Sequence, residues 1–431
     1  MRHQEHKAAS WGSDVPLRRV PATGVLQARW VFPVQGEPLP EGQVQLERGR
    51  VVAVGRGLTT RPLELGSVAL LPGLVNAHCH LEFSLLQRPL GRPGMAFPRW
   101  IEQVVQWRRS REEPPAEVPS PWQAGLRESA AAGVAAVGEV LSAAAQRIPP
   151  APWPQLVVFF ELLGLTPERA EQAIARAEQF LQQAPAAGWL GWGLSPHAPY
   201  TVHPRLLAWA VGQSRRRHLP LQFHLAESPE ELELLRTGDG PLAELLQELG
   251  AWCPEALPGR LRPLDFLQSL QKAHRVLVIH GNYLSAAEQQ FLARGRKRFS
   301  LVYCPRTHAY FQHQPYPLAE LLQQGVRVVL GTDSRASSPG LELLHEARCA
   351  AAQHQVAPAQ LLRMITLDAA RALGLDATWG RIAPGSQGVF TAVQLPPNQA
   401  PQKANEVLEA IFHGPAPGAE LIACGPLPRQ E

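Results

Sequence analysis

The chain has 431 residues, 45% of them hydrophobic, and its 41 basic and 37 acidic side chains leave a formal net charge of +4. That length and apolar content can bury a large core without cross-links, and they exclude a wholly disordered chain. So small a charge excess argues against nucleic-acid binding and against a membrane surface, and no apolar run approaches the roughly 18 residues of a spanning helix.

Residues 1–22 are polar and basic and read as a loose tail without the apolar stretch of a signal peptide. From 23 to 68, LQARWVFPV, QVQLERG and RVVAVG are short β-prone runs broken by Gly, Pro and Glu. Residues 380–431 repeat the style in RIAPGSQGVFTAVQL, EVLEAIFHG and AELIACG. The two ends together predict one small β-sandwich domain. Between them, 69–379 alternates apolar runs with amphipathic stretches such as PERAEQAIARAEQFLQQ. Eight runs, at 69–78, 133–139, 155–161, 190–195, 219–224, 275–280, 299–304 and 326–333, predict an α/β fold, a (β/α)8 TIM barrel. The Pro-rich segment 88–122 holds a helix and reads as a lid over the barrel mouth, while 238–264 reads as a surface excursion. Basic runs at 215–217 and 294–298 read as solvated helix ends.

Chemistry-bearing residues fall at one end of these runs. His78, Glu139, Glu161, His197, His224, His280 and Asp333 each end or closely follow a predicted strand, where such barrels place their active sites. In NAHCHLE, two-residue spacing puts His78 and His80 on the same strand face and Cys79 on the other. With His224 in FHLAES and Asp333 in VVLGTDS they make a His3Asp set for one divalent ion, zinc in the first place with iron(II) as the alternative, with room for water. Cys79, Cys253, Cys304, Cys349 and Cys424 are scattered without a C-x-x-C pair, which fits a reducing, cytoplasmic setting and not a thiolate zinc site. Glu227, one turn past His224, is placed to move protons, and Asp333 can also take the proton of the attacking water.

HxH after a first strand, HxxE, a later strand-end His and a final GTDS resemble the amidohydrolase superfamily, in its deaminase and chlorohydrolase branch. The resemblance spans nearly the whole chain. It implies that Glu227 protonates a ring nitrogen, that His280 orients the attacking water or serves as a weak ligand, and that His197 in SPHAPYTVHP touches substrate. His203 in the same segment reads as a helix cap. Binuclear relatives bridge their ions with a lysine ending the fourth strand; LGWGLSPHAP has none, so one ion is expected. HLEFS, whose Glu82 is a candidate substrate contact, the F-x-x-W-I segment and HAPYTVHP resemble aminodeoxyfutalosine deaminases of menaquinone biosynthesis. That resemblance implies exchange of the 6-amino group of a purine nucleoside for oxygen. Two positions depart from the usual pattern and should border the pocket: His308 stands in place of Asn, and Ser334 in place of Gly. Phe83, Phe97, Trp100 and Tyr200 are candidates for stacking on a base. Amide and C–Cl hydrolysis are rival activities of the same scaffold, and a non-catalytic barrel used for assembly is a rival of another class. Barrels of this kind are often homodimers; the expected partner is a small-molecule substrate.

Overall fold

The computed structural model describes residues 17–110, 120–142, 154–395, 403–415 and 418–424. The expected tail up to residue 16 and positions 111–119 of the expected lid lie outside them.

Eight parallel strands, Leu74–Cys79, Val134–Leu141, Gln155–Leu162, Gly191–Pro196, Pro220–Leu225, Arg275–His280, Phe299–Tyr303 and Val328–Leu330, pair in chain order. A parallel bridge between Cys79 and Asp333 joins the first strand to the end of the eighth and closes the barrel. These are short runs buried on both faces, as a parallel sheet sheathed by helices requires. On the fifth strand Leu221, Phe223 and Leu225 pack outward into the large helix-side core, leaving Gln222 and His224 for the interior.

The abundance of proline has a structural outlet. Helices open with proline directly after an N-cap at Ser120, Thr166, His203 and Ser228, where the missing N–H costs nothing. His203 caps through Nδ1, which accepts from Arg205 N at 3.1 Å.

Strands from both ends of the chain join in a second, eight-stranded sheet. It begins earlier than the expected tail allows, because Leu17–Val20 pairs in parallel with Ala419–Cys424. The run expected as one strand at 69–78 is two. Val68–Pro72 pairs antiparallel with Val389–Gln394 in the terminal sheet, and Leu74–Cys79 opens the barrel. Gly73 sits at the crossing, where an added Cβ would lie 2.5 Å from that of Ala135. EVLEAIFH, expected as β-like, forms the helix Ala404–His413 instead. Its buried Val407, Leu408, Ile411 and Phe412 recur with helical spacing. The stretch 238–264 is more than a surface excursion: its helix Pro241–Glu248 packs beside the helix Phe97–Ser110 over the barrel mouth. Among the described residues no helix is long and apolar enough to cross a membrane.

Candidate active site

The barrel is tied shut at the candidate metal-ligand motif. Asn76 Nδ2 donates to Thr332 Oγ1 at 2.7 Å, and its Oδ1 accepts from Thr332 N at 3.1 Å. Asp333 N donates to His78 O at 3.2 Å, and His80 N to Asp333 O at 3.3 Å. This lacing brings Asp333 Oδ1 to 3.7 Å from His78 Nε2 and 3.8 Å from His80 Nε2. His224 completes the group: one ring nitrogen from each of His78, His80 and His224 lies within 4.8 Å of the others.

Hydrogen bonding fixes which nitrogens face inward. Gln222 Nε2 donates to Ala77 O at 3.2 Å, so its Oε1 must be the acceptor of the 2.8 Å bond from His78 Nδ1. The proton of His78 therefore sits on Nδ1, and Nε2 presents a lone pair. That Nε2 is buried without any partner. His224 Nδ1 donates to His197 O at 3.0 Å, so its Nε2 is likewise free of a proton. Burial holds His80 and His224 well below the ordinary histidine range, which keeps their rings neutral. Burial also works against the Asp333 anion. The surrounding His78, His280 and His80 outweigh it and hold this carboxyl below its usual range. Thr307 and Ser337 hydroxyls donate to Asp333 Oδ2 at 3.1 and 3.0 Å, leaving Oδ1 to the centre. Neutral imidazoles, inward lone pairs on His78 and His224, the unpartnered His78 Nε2 and His80 Nδ1 and one carboxylate oxygen fit a single divalent cation.

Glu227 and His280 stand beside this group. Glu227 Oε1 lies 3.3 Å from His280 Nε2. Burial, then the Asp333 and Glu231 charges, push the Glu227 carboxyl well above the ordinary range, and burial pushes His280 down to about 3. The pair is thus poised as a carboxylic acid beside a neutral imidazole. Glu227 is held through its backbone: its N–H donates to Glu231 Oε2 at 2.9 Å, and its carbonyl accepts from Asn282 Nδ2 at 2.9 Å.

A cavity of about 350 Å³ opens over the group. His80, His197, His224, Glu227, His280, Asp333 and Ser334 line it, as do all four candidate aromatics, Phe83, Phe97, Trp100 and Tyr200. The helix Phe97–Ser110 from the expected lid forms one wall, and Leu242, Leu245 and Leu246 add an apolar side. Two expected substrate residues do not line it. Glu82 is buried behind the wall, paired to Arg108. His308 lies one turn into the helix Pro305–Tyr310, its ring edge-on to Tyr303 and Tyr316 at 5.7 Å from each. Glu139 is buried as well and plays a scaffold part, accepting from Leu81 N and Trp122 Nε1. Gln222, Glu231 and Arg108 went unrecognised in the sequence. Gln222 shares strand parity with His224, and Glu231 follows Glu227 by four residues. Arg108 carries no comparable sequence signal, because only the fold brings it to Glu82.

Comparison with known proteins gives the family and the fold. The amidohydrolase family model matches residues 69–416. A 5-methylthioadenosine/S-adenosylhomocysteine deaminase of Pyrococcus furiosus is 27% identical over 77% of both chains. An aminodeoxyfutalosine deaminase of Deinococcus radiodurans is 30% identical over 66% of this chain and 68% of its own. Among solved structures, the aminofutalosine deaminase of Helicobacter pylori superposes with a TM-score of 0.76 at 20% identity, covering 92% of this chain and 97% of that one. A zinc-complexed atrazine chlorohydrolase of Arthrobacter aurescens gives 0.71 at 18% identity, covering 90% and 91%. At such identities the two structures bear on the fold alone. The family match covers most of the chain, and this protein belongs to the amidohydrolase family.

Proposed function

We propose that the protein is a hydrolytic deaminase that exchanges the exocyclic amino group of an aminopurine nucleoside for oxygen, with 6-amino-6-deoxyfutalosine of menaquinone biosynthesis as the specific substrate. The observation that carries the reading is the placement of Glu227, 3.3 Å from His280 in the wall of the cavity that His80, His224 and Asp333 also line. The deaminase relatives support the same chemistry.

In this reading His78, His80, His224 and Asp333 hold one divalent ion, zinc by preference, although the donor set suits iron(II) as well. When bound, the ion supplies Lewis-acid activation of water. Glu227, as the carboxylic acid, donates its proton to a ring nitrogen next to the carbon under attack. That carbon becomes electrophilic without a charge building in the ring. Asp333 takes a proton from the attacking water through Oδ1, since Oδ2 already accepts two hydroxyls. His280, kept neutral by burial, can hydrogen-bond the incoming oxygen. The Glu227 carboxylate then takes the proton of the new hydroxyl and passes it to the amino nitrogen, which leaves as ammonia as the C–N bond breaks and the C=O bond forms, and the proton held by Asp333 restores the Glu227 acid.

The test is ammonia release by zinc-loaded protein from 6-amino-6-deoxyfutalosine, adenosine and 5′-methylthioadenosine, run beside amides and a chlorotriazine. Deamination of the nucleosides is expected. Turnover of amides or the triazine alone would overturn the reading.

A further inference from the structure

One carboxylate in the cavity wall has no role in the chemistry above. Glu161 is the last residue but one of the third barrel strand and has the strand parity of Val157 and Phe159. The Phe159 ring lies against Gly193 of the next strand, as an interior side chain does. Glu161 lines the cavity, yet its side chain is only 1% exposed. Both of its oxygens are buried without a hydrogen-bond partner. An ionised carboxylate in such a place is costly unless donors reach it. The nearest cation, Arg108 Nη2, stands 3.8 Å from Oε2, beyond hydrogen-bond range, and is committed to Glu82.

We infer that Glu161 is a specificity-determining residue whose two oxygens accept hydrogen bonds from a vicinal diol of the substrate, the sugar of the nucleoside. This rests on the proposed nucleoside reading and deepens it. A carboxylate can only accept, so its ligand must bring donors. Two oxygens on one carbon match two hydroxyls on adjacent carbons, whereas a single donor would leave one oxygen bare. Arg108 argues against a cationic ligand, because a second positive charge would meet the guanidinium across the same carboxylate. Position agrees: Glu161 pairs in register with Ser195, two residues before His197, whose backbone N donates to Leu162 O at 3.2 Å. The heterocycle can therefore reach Glu227 and His280 while the sugar lies toward the third strand.

The experiment compares adenosine with 2′,3′-dideoxyadenosine on zinc-loaded protein. Wild type should favour the diol by about 100-fold in kcat/KM, the scale at which a site rejects a ligand that leaves its polar groups bare. Glu161→Gln and Glu161→Asp should each reduce that ratio by 10-fold or more, mainly through KM, with metal content and thermal unfolding as checks on folding. Equilibrium binding of both nucleosides to Glu227→Gln protein, with and without Glu161→Gln, separates the two readings. Diol-dependent binding that Glu161→Gln abolishes, together with wild-type protein that deaminates no nucleoside, upholds the diol site and refutes the deaminase reading. Deamination with equal efficiency on both nucleosides, or a ratio that survives both Glu161 variants, overturns the diol site and leaves the deaminase reading standing. Neither binding nor turnover of either nucleoside overturns both.

Discussion

Gln222 offers a sharp test of how the candidate metal site is built. It is fully buried, and it fixes the tautomer of His78 by accepting from Nδ1 while donating to Ala77 O. Replacing it with leucine keeps the volume and removes both partners. His78 Nδ1–H is then an unsatisfied buried donor, which costs about 1–3 kcal/mol. The ring can escape that cost by moving its proton to Nε2, but Nε2 is the nitrogen that meets Asp333 Oδ1 and the cation site. Either way the bound state loses roughly the worth of one buried hydrogen bond, a factor of about 10–100 in metal affinity. Gln222→Glu should behave differently, since a carboxylate accepts the same proton more strongly and makes His78 a better ligand. Zinc competition against a chelator, read as metal retained per protein, would show Gln222→Leu losing its ion first and Gln222→Glu holding it. Equal retention by wild type and Gln222→Leu would refute the tautomer argument.

The remaining expectations concern the neighbours. Glu227→Gln should retain zinc while turnover falls by about 100-fold or more, because the amide cannot deliver the proton; full activity would remove Glu227 from the mechanism. His78→Ala should lose the metal outright, as elemental analysis of the purified variant would show. Glu231 should leave a mark on stability against pH. Burial lifts its carboxyl to about 7 even though its bonds to Glu227 N and Ala226 N pull the other way. The folded chain thus favours the protonated form. The stability this contributes is complete below the ordinary value of 4.5 and is lost as pH rises through about 7. Urea unfolding of wild type and Glu231→Gln at pH 5 and pH 8 should show wild type losing ground across that interval; parallel curves would sink the assignment.

The sequence exposed the barrel because its polar residues break the apolar runs always at the same end. A candidate ligand such as His224 interrupts PLQFHL on the strand face opposite Leu221 and Leu225, so parity alone points it inward. Other features lay beyond local pattern. EVLEAIFH is short and rich enough in Val, Ile and Phe to suit either element, and packing against the barrel helix Leu343–Gln353 supports the helical spacing of its apolar residues. The split at Gly73 depends on the proximity of Ala135, a contact across some sixty positions. His308 stands away from the cavity lining for a related reason. It follows a strand end, as the cavity-lining candidates do, but the turn of helix begun at Pro305 aims it at Tyr303 and Tyr316. Proximity to a strand end selects candidates; the first turn after the strand decides which of them face the cavity.

That first turn is also where the chain departs from ordinary backbone geometry. Ala226, His280 and Asp333 take φ values of 53°, 66° and 54°, although none is glycine. Each left-handed residue costs about 1–2 kcal/mol, so the three represent several kcal/mol of local strain gathered where the fifth, sixth and eighth strands end. The bonds that hold them are specific. Gly281 N reaches back to Leu225 O at 3.0 Å, Tyr283 N to Ala226 O at 3.1 Å, and Tyr316 Oη to His280 O at 3.0 Å. Asp333 is held by the N–H bond to His78 O that also helps close the barrel. The kink at His280 matters for geometry. By parity Leu277 and Ile279 face one way and Val276 and Val278 pack with the outer helices, so a straight strand would send His280 outward too. The left-handed turn brings its ring to 3.3 Å from Glu227 instead. Strain at these three residues is therefore part of how the site is assembled, and the closed barrel, stable by its own core, is what sustains it.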